Sequence, residues 1–292
     1  EFFEQRLGVT NSPAFYKALL INGARSVDTL YDFAVRRSVN FQGWGLPSLA
    51  NSLPVAQSNV LNGVTRTGPG SVILFDQSPT NALATGQSRT WRFSVTEEGR
   101  NLPLRVTLVW TDPPGNPVAG VKLVNNLDLV VTNLDTGDVY LGNDIAQGSN
   151  FTFPWNTNAP AELDVVNNVE NVFVIPQLGS NYAVTVVGRH VNVNAVTAHP
   201  DDVAQDFALV ISVGDGEVPD AMQLVETQPL VRRIQPTVTY VTNTFNSPTM
   251  SGATLLDQRV GANTPLLGTT SGMTNQWHFY VMTNTTSFTN AT

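Results

Sequence analysis

The chain contains no cysteine, which excludes disulfide staples, thiolate metal sites and cysteine nucleophiles. Charge is scarce as well. Only 13% of the 292 residues are Asp, Glu, Lys or Arg, and 15 basic side chains against 23 acidic ones leave a net charge of −8. The basic residues gather no further than Arg36-Arg37 and Arg232-Arg233, so no phosphate-tracking groove is encoded and nucleic acid is excluded as a partner. No apolar run is long enough to cross a bilayer as a helix, so no membrane span is expected. Histidine is limited to His190, His199 and His278, and a G-x-S-x-G segment is missing. A Ser/His/acid triad therefore has no nucleophile motif to support it, and the spacing of the three imidazoles gives no support to a metal site. His199 is followed by Pro200-Asp201-Asp202 and reads as an exposed loop histidine beside acids.

What the chain does have is Asn, Thr, Val, Gly and Pro in quantity, the composition of turns and half-buried strands. From residue 71 the apolar period is two. Strands are predicted at 71–76, 89–95, 103–110, 127–133, 138–142, 170–175, 181–187 and 206–213, separated by Gly, Pro, Asn and Asp clusters. Eight short strands so spaced predict a mainly β fold, a β-sandwich or jelly roll. Leu104, Val106, Leu108 and Trp110 should share one face, as should Tyr182, Val184 and Val186. The LDTGDV stretch at 134–139 predicts a hairpin turn.

Residues 1–55 are the helical part. Ser12-Pro13 supplies an N-cap and a favourable first helical residue, and Gly23 closes the helix. A second, Pro-led helix begins at Pro47. Phe2, Phe3, Phe15, Leu19, Leu20 and Trp44 predict an apolar face that packs on something outside the chain, leaving 1–55 poorly ordered alone. Gly43 and Gly45 around Trp44 predict a backbone crossing against that outside surface. At the other end, 219–292 reads as a linker and the opening strands of a further β-domain, with Thr237–Thr242 and Trp277–Met282 alternating.

Carboxylates and amides gather in three groups: Asn125-Asn126-Leu127-Asp128, Asn143-Asp144, and Asp164 with Asn167-Asn168-Val169-Glu170-Asn171. Oxygen ligands on loops at one end of a sandwich are what calcium takes, and it takes six to eight of them. The same side chains also satisfy backbone groups in turns. Asp128 differs, because it sits inside an apolar strand where an unpaired carboxylate is costly. It needs a partner: a backbone turn, an Arg or a metal.

The segments KALLINGA (17–24), FQGWG (41–45), LRVTLVWTDPPG (104–115), VNNLDLVV (124–131), YLGND (140–144), NNVENVF (167–173) and DFALVIS (206–212) occur in that order. With them the chain resembles the C-terminal part of secreted subtilisin-like serine proteases that carry a jelly-roll domain after the catalytic domain. The resemblance covers residues 1–215. It implies two parts: 1–58 as the C-terminal helices and closing segment of an α/β catalytic domain and 69–215 as the jelly roll; beyond it, the linker and opening strands at 219–292 look only like a generic β-domain of the kind appended to secreted bacterial enzymes. EFFEQRL (1–7) then looks like the tail of the helix that bears the nucleophile, which puts the catalytic Asp, His and Ser upstream of residue 1. Asp135-Thr136-Gly137 mimics a protease signature but falls in the hairpin. Some family members bind calcium in the jelly-roll loops, and the carry-over lands on Asp144 and Asp164, although the loop between them is longer here.

The leading expectation is thus a non-catalytic piece of an extracellular or cell-surface serine endopeptidase. It would brace the catalytic domain, present in cis or as a cleaved partner chain, and aid binding of the protein substrate. The alternatives are a carbohydrate-binding or adhesion module, with Trp155 as its stacking residue, and a subunit of a surface assembly.

Overall fold

The computed structural model describes residues 2–6, 8–26, 42–53, 71–146, 149–196, 203–214 and 220–227, together with the strand residues 231–232, 254–255 and 280–281. It divides into two compact units, residues 1–234 and 235–292. In the second, Thr254–Leu255 pairs with Tyr280–Val281. His199, Asp201, Asp202, His278 and the predicted strand at 237–242 lie outside the described residues.

All eight predicted strands form in the first unit. They are β1 (Val72–Phe75), β2 (Gln87–Val95), β3 (Leu104–Val109), β4 (Asn126–Asn133), β5 (Val139–Leu141), β6 (Val169–Val174), β7 (Asn181–His190) and β8 (Ala208–Val213). One sheet runs β1-β8-β3-β6 and the other β2-β7-β4-β5, all antiparallel. Apart from the β4–β5 hairpin, successive strands fall in opposite sheets, in the jelly-roll order, so the mainly β expectation holds. Leu104, Val106, Leu108 and Trp110 meet Leu127, Leu129, Val131, Tyr182, Val184 and Val186 in one core between the sheets. The buried Trp110 indole donates to Asn125 O at 2.9 Å, which spares the core an unsatisfied donor.

Two segments differ from expectation. Met222–Thr227, read as linker and a further domain, forms β9 along β2 and sends Ala221, Met222 and Leu224 into the sandwich core; β10 (Val231–Arg232) also pairs with β2.

The helical segment also behaves differently. Helix α1 (Pro13–Gly23) starts at the predicted N-cap, with Ser12 Oγ accepting from Phe15 N at 3.1 Å. Its buried residues Ala14, Phe15, Ala18, Leu19, Asn22 and Gly23 form one stripe at helical spacing. That stripe, with Phe3, lies on Val72, Leu74, Val109, Val169, Ala208 and Val210, the outer face of the β1-β8-β3-β6 sheet. The apolar face is therefore covered by the chain's own sandwich, and each large side chain so buried contributes about 1.5–3 kcal/mol. Leu20, one helical step off the stripe, remains 45% exposed. The cover explains why β3, β6 and β8 are buried along their whole length: both sheet faces are occupied.

The GWG segment packs inside the chain too. Gly45, at φ +101, sits where a Cβ would lie 2.2 Å from Arg25 O, and the Arg25–Leu46 bridge closes there. Trp44 meets Phe173 edge-on at 6.2 Å, and the Arg105 guanidinium lies 4.4 Å from the centre of the Phe173 ring. Helix α2 (Leu49–Ser52) follows, capped by Ser48 rather than led by Pro47.

Candidate functional site

A polar network fastens α1 to the sheet and the sheet to its own edge. Asn22 is 2% exposed. Its Nδ2 reaches Thr107 Oγ1 at 3.2 Å, Arg105 O at 3.2 Å and Val210 O at 3.3 Å, and its Oδ1 accepts from Ser212 Oγ at 2.6 Å. At the other end of the helix the Asp76 carboxylate accepts from Ser12 N, Ser12 Oγ and Asn11 Nδ2. The helix is thus pinned at both ends by buried or half-buried polar groups, with the apolar stripe between.

Thr107 Oγ1 in turn donates to Asn171 Oδ1 at 2.7 Å. Asn171 faces Asn143, a non-glycine residue at φ 58, a conformation that Asn tolerates better than most. In that pose the Asn143 side chain does the work of a missing strand on the β6 edge. Its Oδ1 accepts from Asn171 N at 2.9 Å, and its Nδ2 donates to Val169 O at 2.7 Å and Asp164 Oδ2 at 2.6 Å. The predicted groups at 143–144 and 164–171 therefore do meet, but through amides.

Asp164 holds a turn. Oδ1 accepts from Val166 N and Asn167 N at 2.8 and 3.0 Å, and Oδ2 from Asn143 Nδ2 and Asn167 Nδ2 at 2.6 and 2.7 Å. Burial pushes its pKa up, but these hydrogen bonds outweigh burial and hold it below the ordinary carboxylate range. With four N–H groups on two oxygens, Asp164 is already engaged at each of its acceptor sites, and a calcium ion bound there would have to displace donors. Asp144 is raised by partial burial and then by the Glu162 charge. Among the described residues no trio of His, Asp or Glu side chains is arranged to hold a metal.

Asp128 has the partner its burial requires: Arg189 Nε donates to its Oδ2 at 2.5 Å. Glu170, which the strand pattern did not single out, is 1% exposed. The β4–β5 ladder covers only Val130–Thr132, which leaves the Leu129 N–H without a strand partner on that side. Glu170 Oε2 accepts it at 2.6 Å. The space that the carboxyl fills is available because residue 142 is Gly; a Cβ there would lie 2.0 Å from Glu170 Oε2. Burial, then the Asp128 and Asp164 charges, push Glu170 well above its ordinary pKa against the opposing Leu129 amide.

The remaining candidates are structural. Asn125 spends its side chain on Val193 O, Gln205 Oε1, Asn192 N and Val193 N. Asp135 braces the hairpin by accepting from Ser180 N, Asn181 N and Asn181 Nδ2, so the D-T-G triplet is a turn, with Gly137 at φ 83. Trp155 ties the long loop to β5 through its backbone N–H on Val139 O, and its indole donates to Ala159 O at 3.1 Å within the loop.

No family model matches the chain. It is similar to three serine protease/ABC transporter B family proteins of Dictyostelium discoideum. Identity is 32% over 183 residues for tagD, 29% over 200 for tagB and 27% over 186 for tagA, or 55%, 60% and 63% of this chain. The chain spans about a tenth of the length of these relatives, 10%, 10% and 9% in turn. They give the serine-protease reading distant support and the expected bacterial setting none.

Proposed function

We propose that this chain is the non-catalytic C-terminal part of a subtilisin-like serine endopeptidase that acts outside the cell or at its surface. In this reading it braces the catalytic domain from behind and aids binding of protein substrate. The observation that carries it is the anchorage of α1 through Asn22. A helix and a GWG strap are joined to a jelly roll by buried side chains, so a catalytic domain running into that helix would be held by the sandwich as one rigid piece. The serine-protease part of the relatives' names supports the same reading. The missing domain is covalently continuous with α1 or docked beside it as a cleaved chain. Calcium belongs to this reading only at the Asp144 loop, where Glu162 is the nearby second acid.

The test is heat inactivation of the full-length protease. Asn22→Ala should shorten its half-life at elevated temperature several-fold while leaving kcat/KM at 25 °C unchanged. An unaltered half-life would remove bracing from the proposal.

A further inference from the structure

Strands β4 and β7 lose their register near the end of β7. Leu127 pairs with Gly188 but Asn126 pairs with His190, so Arg189 is the extra residue of a β-bulge. Val186 and Val191 both lie in the core between the sheets. Alternation onward from Val186 and back from Val191 therefore puts two consecutive side chains, Arg189 and His190, on the outer face of the β2-β7-β4-β5 sheet. Both residues are exposed. Across from them on β4 stand Asn126 and Asp128, which alternate with the core residues Leu127 and Leu129.

Uncommitted hydrogen-bonding groups gather at this bulge. Asp128 is 1% exposed and accepts from Arg189 Nε at 2.5 Å. Among the described residues that is the one bond Arg189 makes with its side chain, which is 44% exposed. The buried carboxylate thus positions the guanidinium through Nε and leaves the end with Nη1 and Nη2 to solvent. The His190 ring has no hydrogen-bond partner among the described residues. Asn126 is 7% exposed, yet its Oδ1 is buried without a partner and its Nδ2 is not bonded among the described residues either. Asn22, Asn125 and Asn143, by contrast, each commit both ends of the amide to the fold. Burying an idle amide is costly, and a ligand that takes its N–H offsets part of that cost.

A guanidinium end with two parallel N–H donors fits the two oxygens of a carboxylate. A monoanion suits the charge better than a phosphate does, because Asp128 already balances Arg189 and the chain carries −8. On the same outer face lie Val187, the register partner of Asp128, and Val130, both half-buried. They offer an apolar strip to the residues that precede such a carboxylate.

We propose that Arg189, Asn126 and His190 form a binding site for the C-terminal carboxylate of a peptide, with Arg189 Nη1 and Nη2 on its two oxygens and Val187 and Val130 beneath the chain leading to it. The proposal rests on the protease reading only for the source of the ligand, since an endopeptidase leaves a new carboxylate at every cut. The heat-inactivation test of Asn22→Ala reads bracing and does not involve this face, so either idea can fail alone.

The probe is N-acetyl-trialanine with a free C-terminus, titrated into the purified chain while NMR follows the Arg189 Nε–H and the amides of 126–128 and 187–190. Saturable shifts centred on those groups are expected, with a Kd on the order of 1 mM. Arg189→Lys keeps a cation beside Asp128 but has no fork, and should weaken binding about tenfold. His190→Ala removes a ring that bonds to nothing in the described fold, so it stays testable if Arg189→Lys does not fold, and it should weaken binding several-fold. The C-terminal amide of the same peptide should not bind. Unchanged affinity in either variant, equal binding of the amide or of an amidated peptide with one internal Glu, tighter binding of inorganic phosphate, or no saturable shift up to about 20 mM peptide would overturn the site. Sodium acetate binding as tightly as the peptide would remove Val187 and Val130 from it, and with them the peptide as its ligand.

Discussion

Asn143 and Asn171 hold each other by two hydrogen bonds of 2.9 Å, one from Asn143 N to Asn171 O and one from Asn171 N to Asn143 Oδ1. The second would be a ladder bond if a strand ran beside β6. A side chain supplies it instead, and this lets the chain leave β5 and turn away while the β6 edge stays paired. Because the other face of Asn171 accepts from Thr107, which Asn22 contacts, the closure of that edge and the seating of α1 share residues.

Asn143→Ala should therefore destabilise the chain by about 2–4 kcal/mol, since it leaves buried edge groups without partners. Asn143→Gly removes the same bonds but fits the positive φ, and should be the milder change by about 1 kcal/mol. Urea unfolding of both variants measures this. Equal losses would mean that the φ of 58 carries no strain.

Seating of α1 predicts a particular exchange pattern. Amides of residues 18–23 should exchange as slowly as those of β3 and β8, because the helix stripe and the sheet face bury one another. Asn22→Ala should speed exchange in α1 more than in β3, and cost about 2–3 kcal/mol overall. Fast exchange in wild-type α1 would restore the view that this segment needs a partner domain to order it.

The strands were legible because their period survives in the sequence, and Asp128 was legible because its cost is local: a carboxylate within LDLVV must have a partner. The same reasoning applied to VENVF would have found Glu170, which instead was grouped with its Asn neighbours as a loop ligand. Arg105 and Thr107 were harder. On an alternating strand they read as the solvent face, and only a helix 85 positions away in the chain for the Asn22–Thr107 contact makes that face interior. Nothing in KALLINGA tells a reader that its Asn points at a sheet. Leu20 was assigned to the apolar face for a related reason, since helical spacing alone does not fix how wide the buried stripe is.

Peptidase activity should be absent from the purified chain. It carries no G-x-S-x-G segment, and its described histidine, His190, ends β7 on the surface, so among the described residues a nucleophile, a base and an orienting acid do not converge. Hydrolysis of a casein substrate that is blocked by a serine-directed covalent inhibitor would contradict this.

Calcium should act through Asp144 and not through Asp164. If the Asp144 loop binds the ion, excess calcium raises the melting temperature relative to chelator, and Asp144→Ala removes the difference. Asp164→Ala should lower the melting temperature equally in calcium and in chelator, because it frees four N–H groups whatever the metal does. Coincident wild-type curves with and without the ion would eliminate the calcium proposal.

The acid limb of the stability profile should belong to Asp164. Hydrogen bonds hold its pKa below the ordinary value, so in the folded state it stays ionised to lower pH than in the unfolded chain. Its contribution is present above the unfolded value of about 3.9 and is lost as pH falls through the folded one. Asp164→Asn keeps a carbonyl for Val166 N and Asn167 N but turns an amide N–H₂ toward the amides of Asn143 and Asn167, so donors face donors. At neutral pH the variant should be less stable than the wild type by about 1–3 kcal/mol. As the wild type protonates Asp164 it loses the same acceptor, and the two unfolding curves should converge in strong acid. A gap that stays constant from neutral to strongly acid pH would show that the turn at 164–167 depends on side-chain shape and not on the carboxylate's charge.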